Sequence, residues 1–140
     1  MPYFIIGHYA GGQILTRITA FMPGDAHRII AANPGSLLFP TRDQSYPYGF
    51  GGLPSELSGD EQIQAYLAAP LTLYLGTADL LDKDLDLGEA AMHQGKTRLE
   101  RGLACFAMAQ TLAKQRGWPF HWHLVEAPNL GHRAGATHTV

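Results

Sequence analysis

Gly7-His8-Tyr9-Ala10-Gly11-Gly12 is the stretch whose residue types and spacing could do chemistry. It follows an apolar run, Tyr3 to Ile6, and leads into a helical pattern. Glycines two places either side of Tyr9 have the spacing of a nucleophile elbow, G-x-S-x-G, a sharp strand-to-helix turn with a reactive side chain at its apex. The glycines are needed because the apex backbone is strained and its neighbours pack tightly on strand and helix. The apex here is tyrosine in place of serine. A phenol titrates near ~10 and serves as the nucleophile in some glycosidases. Its oxygen, however, stands several ångströms further from the backbone than a serine oxygen. A novel nucleophile or binding hydroxyl therefore competes with a simpler reading, a bulky side chain that plugs the pocket, and the simpler one is expected.

Other candidate chemistries are weaker. Gly7-x-x-x-Gly11-Gly12 is glycine-rich after a strand, but it lacks the G-x-G-x-x-G spacing of dinucleotide binding and no acidic residue ends the next strand. Asp82-x-Asp84-x-Asp86 has the start of a calcium loop, yet Leu87 replaces its glycine and His93 its glutamate, so a solvated acidic loop is expected. His121 and His123 alternate along a predicted strand, and His8, His132 and His138 add donors, but no spacing matches a zinc motif and no metal is expected.

The elements that must position these groups alternate in type. Residues 3–6 read as a buried strand. Ile14, Leu15, Ile18, Phe21 and Met22 recur at helical spacing until Pro23-Gly24. Arg28 to Ala32 reads as a second strand, stopped by Asn33-Pro34-Gly35. Regular signals fade from Pro34 to Gly59, and the aromatic, glycine-rich run Tyr46 to Gly52 reads either as a cap on a pocket or as a packed surface insertion. A short helix is expected over 60–67 with Ser58 or Asp60 as cap. Leu71 to Leu75 is a third strand, and 79–95 is polar and acidic. Thr97 and Glu100 have capping-box spacing, and the helix they open is expected to bury Leu99, Leu103, Phe106, Ala109 and Ala113 and to stop at Gly117. Phe120 to Val125 reads as the fourth strand. Strands alternating with helices imply an α/β fold with a parallel sheet. Ligands bind beyond the carboxyl ends of such strands, which here carry Tyr9, Asn33, Asp79 and His132.

Composition narrows the partners. The chain has 140 residues, 46% hydrophobic and 16% charged, with a net charge of −2. That describes one core-forming domain and makes no electrostatic case for nucleic acid or an anionic membrane. No stretch approaches membrane-spanning length, and no cationic region precedes the first apolar run, so a cytoplasmic protein is expected. Cys105, the only cysteine, is expected to be a buried helix residue.

Taken together, the pattern resembles the α/β-hydrolase family from its nucleophile elbow to its catalytic histidine. The family order is nucleophile, acid, histidine. Gly7-His-Tyr9-Ala-Gly11 resembles the elbow, Tyr74-Leu-Gly-Thr-Ala-Asp79 the strand and turn that deliver the acid, and Pro128-Asn-Leu-Gly-His132 the loop that delivers the histidine. The resemblance covers nearly the whole chain but only the second half of the family's fold. The strands before the elbow and the loop giving a second oxyanion amide are missing, and the helix after the histidine is cut short. It implies a single partial α/β-hydrolase domain over 1–140, with 34–67 as a loop-rich insertion near the pocket. His8, Asn33, Tyr46 and Tyr48 would line that pocket. It implies His132 as base, Asp79 as the acid orienting it (Asp82 or Asp84 as alternatives), and the Ala10 amide as oxyanion donor. It also implies no cofactor and a small acyl ester or amide as substrate. With Tyr9 in place of serine, the chain is expected to be inactive as written. The alternative is a non-catalytic binding or interaction protein that uses the remnant pocket or the open sheet edge, as a homodimer or with a complementary chain.

Overall fold

The computed structural model describes residues 3–21, 26–76 and 88–127. In chain order its elements are β1 (Tyr3–His8), α1 (Ala10–Phe21), β2 (Ala26–Ala32), α2 (Ser55–Ser58), α3 (Asp60–Ala68), β3 (Leu71–Gly76), α4 (Glu89–Gln94), α5 (Arg98–Arg116) and β4 (His123–Ala127). The four strands form one parallel sheet in the order β1-β2-β3-β4. Right-handed crossovers between strands taken in sequence place the connecting helices on a single face. Accordingly α1 packs on β1 and β2, α5 on β3, and α3 touches both helices.

Alternation along the strands separates the two faces. Leu71, Leu73 and Leu75 of β3 are fully buried toward the helices, each contributing roughly 1.5–3 kcal/mol. A methyl group at Gly102 of α5 would come within 2.7 Å of Leu75, so glycine there lets helix and strand approach closely. On the other face the register aligns Ile6, Ile30, Thr72 and His123 in one row. Ile6 is 55% exposed.

The segment expected as a loop-rich insertion begins as core. Residues 34–40 are all buried. A chain of rings runs beneath them: Phe21, Phe50, Tyr66 and Trp122 stack in sequence with centroids 4.9–5.9 Å apart. The segment is held by side chains reaching for its backbone. The Arg17 guanidinium donates to the carbonyls of Gln13, Ser36 and Pro47. The buried Gln94 amide pairs with Leu37 in both directions, donating to its carbonyl at 2.6 Å and accepting from its N–H at 3.1 Å. Gln94→Ala leaves both backbone groups buried without a partner, and we expect it to cost about 2–4 kcal/mol. The shift of the urea midpoint at unchanged slope measures this.

Several boundaries and faces differ from expectation. The cap of α3 is Gly59, with no side-chain capping bond. Asp60 instead turns its carboxylate to Arg42 at 2.6 Å and Arg116 at 3.3 Å, and the Arg42 hydrogen bond holds its pKa below the usual range. The fourth strand starts at His123, not Phe120. His121 is fixed ahead of it, its N–H on the Leu67 carbonyl and its ring Nδ1 2.8 Å from the Ala68 carbonyl. The two histidines therefore do not share a strand face. Within 79–95, α4 was not foreseen. The long helix does open on the Thr97 cap, whose side chain accepts from Glu100, and closes on Gly117 at φ 69. Its buried face, however, is Arg98, Arg101, Gly102, Cys105, Ala109 and Ala113, while Leu99, Leu103 and Phe106 are only partly covered. Two arginines thus stand where leucines were expected.

Cys105 is fully buried, and burial pushes its thiol well above its ordinary range. It should not react with a thiol reagent until the chain is unfolded in guanidinium. Tyr66 is likewise held neutral by burial. For both groups the unfolded chain ionises first. Their contribution is fully present below the ordinary thiol and phenol values of about 8.5 and 10, and is lost as pH rises past them. A fall in Tm between pH 8 and 11, on the order of the range those values span, checks the sign.

Candidate active site

All four strands point the same way, so their carboxyl ends form one rim. At the first of these ends β1 stops at His8, and Tyr9 takes φ 53, in the left-handed region. A non-glycine residue held there costs on the order of 1–3 kcal/mol and persists only when its surroundings over-determine it. They do so here. The Tyr9 N–H donates to the Ala32 carbonyl at 2.9 Å, and the Tyr9 carbonyl accepts from Gln13 N at 3.0 Å, starting α1. A methyl at Gly7 would lie 2.6 Å from the Gly11 carbonyl oxygen, and one at Gly12 would lie 3.2 Å from that of Ala32. Strand and helix therefore meet at a separation that only glycine permits. Ala10 is the first residue of α1 and is exposed. Its amide lies in the first turn, where N–H groups lack partners within the helix.

The Tyr9 ring lies against two neighbours. The Arg98 guanidinium carbon sits 5.8 Å from its centroid, and the His8 ring 6.4 Å away at 46°. Arg98 is only 2% exposed and opens α5 directly after its Thr97 cap. A cation over an aromatic face is worth roughly 0.5–2 kcal/mol, more when dry.

At the second strand end, Asn33 also has positive φ, 45, and is buried. Its N–H donates to the Tyr74 carbonyl and its Oδ1 accepts from Gly76 N at 2.8 Å, tying the ends of β2 and β3 together. Its Nδ2 has no partner among the described residues.

The structure thus brings Tyr9, Ala10, His8 and Asn33 to one rim. It does not bring Tyr46 there. The Tyr46 ring packs on Phe21, 5.7 Å between centroids, at the far end of the 12-residue α1, about 18 Å along the axis from the elbow. The Tyr48 carbonyl accepts from Phe39 N–H and from Gln94, so its backbone fastens the loop. Asp79, Asp82, Asp84, His132 and His138 lie outside the described residues. Among the described residues no group of three His, Cys, Asp or Glu side chains could hold a metal ion, and no helix is long and apolar enough to cross a membrane. The sequence reading missed Arg98. The signal was its spacing with Arg101, Cys105, Ala109 and Ala113, a stripe of small residues that two arginines complete.

No protein-family model matches the chain, and no curated protein does. Among solved structures, the poly(3-hydroxybutyrate) depolymerase LpqC from Bordetella parapertussis is similar at 34% identity and TM-score 0.86, over 94% of this chain and 44% of that one. The poly(aspartic acid) hydrolase-1 from Sphingomonas sp. KT-1 is similar at 33% identity and TM-score 0.84, over 95% of this chain and 50% of that one. The fold is of the α/β-hydrolase type. The chain spans about half the length of the solved relatives it matches. In this hydrolase-type frame, the glycine-framed turn at Tyr9 stands between the first strand and the first helix of the four-stranded parallel sheet.

Proposed function

We propose that the chain carries the elbow half of an acyl-hydrolase site and is inactive as written, because tyrosine occupies the nucleophile position. The observation that carries this is Tyr9 at φ 53 between Gly7 and Gly11, a strained apex held by the Ala32 carbonyl. The Ala10 amide is the oxyanion donor. Asp79, or else Asp82 or Asp84, orients His132 as base; in the sequence they follow β3 and β4, whose carboxyl ends lie on the same rim as Tyr9. The substrate is a small acyl ester or amide, with no cofactor. One similar structure acts on a polyester and the other on a polyamide by name, which fits carbonyl chemistry of either kind.

Tyr9 cannot replace serine simply by reaching further. Displacing a reacting atom by about 1 Å can already cost ~100-fold. The Tyr9 hydroxyl is buried, which fits a side chain that fills the pocket rather than attacking from it. Hydrolysis of a chromogenic ester by the purified chain, by Tyr9→Ser and by Tyr9→Ser/His132→Ala tests the reading. Turnover by the unaltered chain that His132→Ala abolishes would overturn it.

A second reading has its own observation. Among the described residues β1 pairs only with β2, leaving an edge strand without Asp, Glu, Lys or Arg. Such an edge invites pairing with another chain. The chain on this reading acts as a binding or interaction protein, as a homodimer or with a complementary chain.

A further inference from the structure

One face of α1 has the spacing of a buried stripe, yet it meets solvent. Ile14, Arg17, Ile18 and Phe21 follow at i, i+3, i+4 and i+7. Ile14 is 58% exposed and Ile18 36%. Tyr46, 43% exposed, joins them, and the five side chains line a hollow of about 350 Å³. Exposed apolar side chains gathered around one concavity differ from residues scattered singly over a surface, and mark a binding site.

The walls are fixed in place. The Phe21 ring is backed by the fully buried Phe50, 5.5 Å between centroids, and meets Tyr46 edge-on at 5.7 Å and 68°. The Tyr46 N–H donates to the Gly51 carbonyl at 3.0 Å. Arg17 is held most firmly. A guanidinium has five N–H donors, all in its own plane. Those of Arg17 make five hydrogen bonds, from 2.9 to 3.4 Å. Nε and Nη2 donate to the Pro47 carbonyl, Nη1 to the carbonyls of Gln13 and Ser36, and Nη2 also to Ser36 Oγ. No N–H is left for a ligand. None of these partners is a carboxylate, so the bonds do not neutralise the charge. What the group still offers the hollow is its face, and a guanidinium face attracts the face of an aromatic ring.

We propose that this hollow binds a small, electron-rich aromatic molecule, its ring stacked on the Arg17 guanidinium between Tyr46 and the Ile14–Ile18 wall. The class of ligand follows from the lining. Ile14, Ile18 and Phe21 favour an apolar body. A carboxylate or phosphate is ordinarily taken by a guanidinium through paired N–H groups, and here those groups are spent. An aromatic ring needs none of them. Against Tyr46 it can take the edge-to-face or offset geometry that aromatic pairs prefer.

Size and openness set the strength. The hollow is at the small end of ligand sites, which suits one ring or two fused rings. A ligand of that size, covered on one side only, is expected to bind with a Kd of about 0.1–1 mM. The hollow extends along α1 to Phe21, away from Tyr9, and the proposal does not depend on what position 9 does.

Titration of the full chain with naphthol, followed through its backbone amide NMR signals, reads the site directly. The expected result is saturable shifts at Arg17, Ile18, Phe21 and Tyr46. Decahydronaphthol has the same skeleton and hydroxyl but no π face, and should bind roughly fivefold more weakly. Arg17→Met keeps most of the wall and removes the cation, so it should weaken naphthol by roughly the same factor and leave decahydronaphthol unchanged. Ile14→Glu, at an exposed position, should weaken both compounds without changing the circular dichroism melt. Naphthol that gives no saturable shift at these residues overturns the proposal. Equal affinity for the two compounds also overturns it, because the hollow would then be an apolar surface without preference for a ring. Should Arg17→Met not fold, the two compounds compared on the unaltered chain decide by themselves. The outcome is independent of ester turnover.

Discussion

Tyr9→Ser should raise ester hydrolysis about a thousandfold over the unaltered chain, and His132→Ala in the same background should remove the gain. The magnitude follows from two opposing effects. A serine nucleophile acting with its base is worth on the order of a million-fold in kcat. Counting the Ala10 amide as the sole oxyanion donor forfeits about 100- to 1000-fold of that. The backbone is already shaped for the change, since the left-handed apex and the Gly7–Gly11 contact do not depend on the side chain at position 9. Serine would also remove the ring that Arg98 overlies, opening the space beside the elbow. The initial rate with a p-nitrophenyl ester, corrected for the buffer rate, is the measurement. An unchanged rate in Tyr9→Ser with an intact melt would show that acid and base do not converge on the elbow.

Arg101→Met should be the most destabilising substitution, at about 4 kcal/mol. Arg101 is fully buried in α5, and its guanidinium joins three segments. Its Nη1 donates to the Gly35 carbonyl at 2.7 Å, its Nε to the Gly95 carbonyl at 2.8 Å, and its Nη2 approaches the Met92 sulfur at 3.3 Å. Methionine matches much of the volume but offers no donor, so two buried carbonyls lose their partner at roughly 1–3 kcal/mol each. That is a large fraction of the ~5–15 kcal/mol that holds a domain folded. A loss below about 1 kcal/mol in urea unfolding would show that water replaces the guanidinium at both carbonyls.

The sequence by itself determined the order of the four strands and the three longer helices and the glycine-framed turn at Tyr9, because these are local. Strand-to-helix switching at Gly7, the Thr97–Glu100 cap and the Gly117 stop each depend on residues within one or two turns. The parallel sheet followed from the alternation of strands and helices. What depends on distant partners was not legible. Helical spacing alone chose Leu99, Leu103 and Phe106 for the buried face of α5, because an arginine is expensive to bury unless every donor is met. Only the fold reveals that the Gly35 and Gly95 carbonyls meet those of Arg101, and that Arg98 lies over the Tyr9 ring. Tyr46 was placed near the elbow by composition, whereas the Phe21–Phe50–Tyr66 ring stack draws it to the other end of α1. Position 9 itself shows the division. Its glycine frame could be read from spacing, but the positive φ and the Ala32 hydrogen bond required β2 to be in place beside β1.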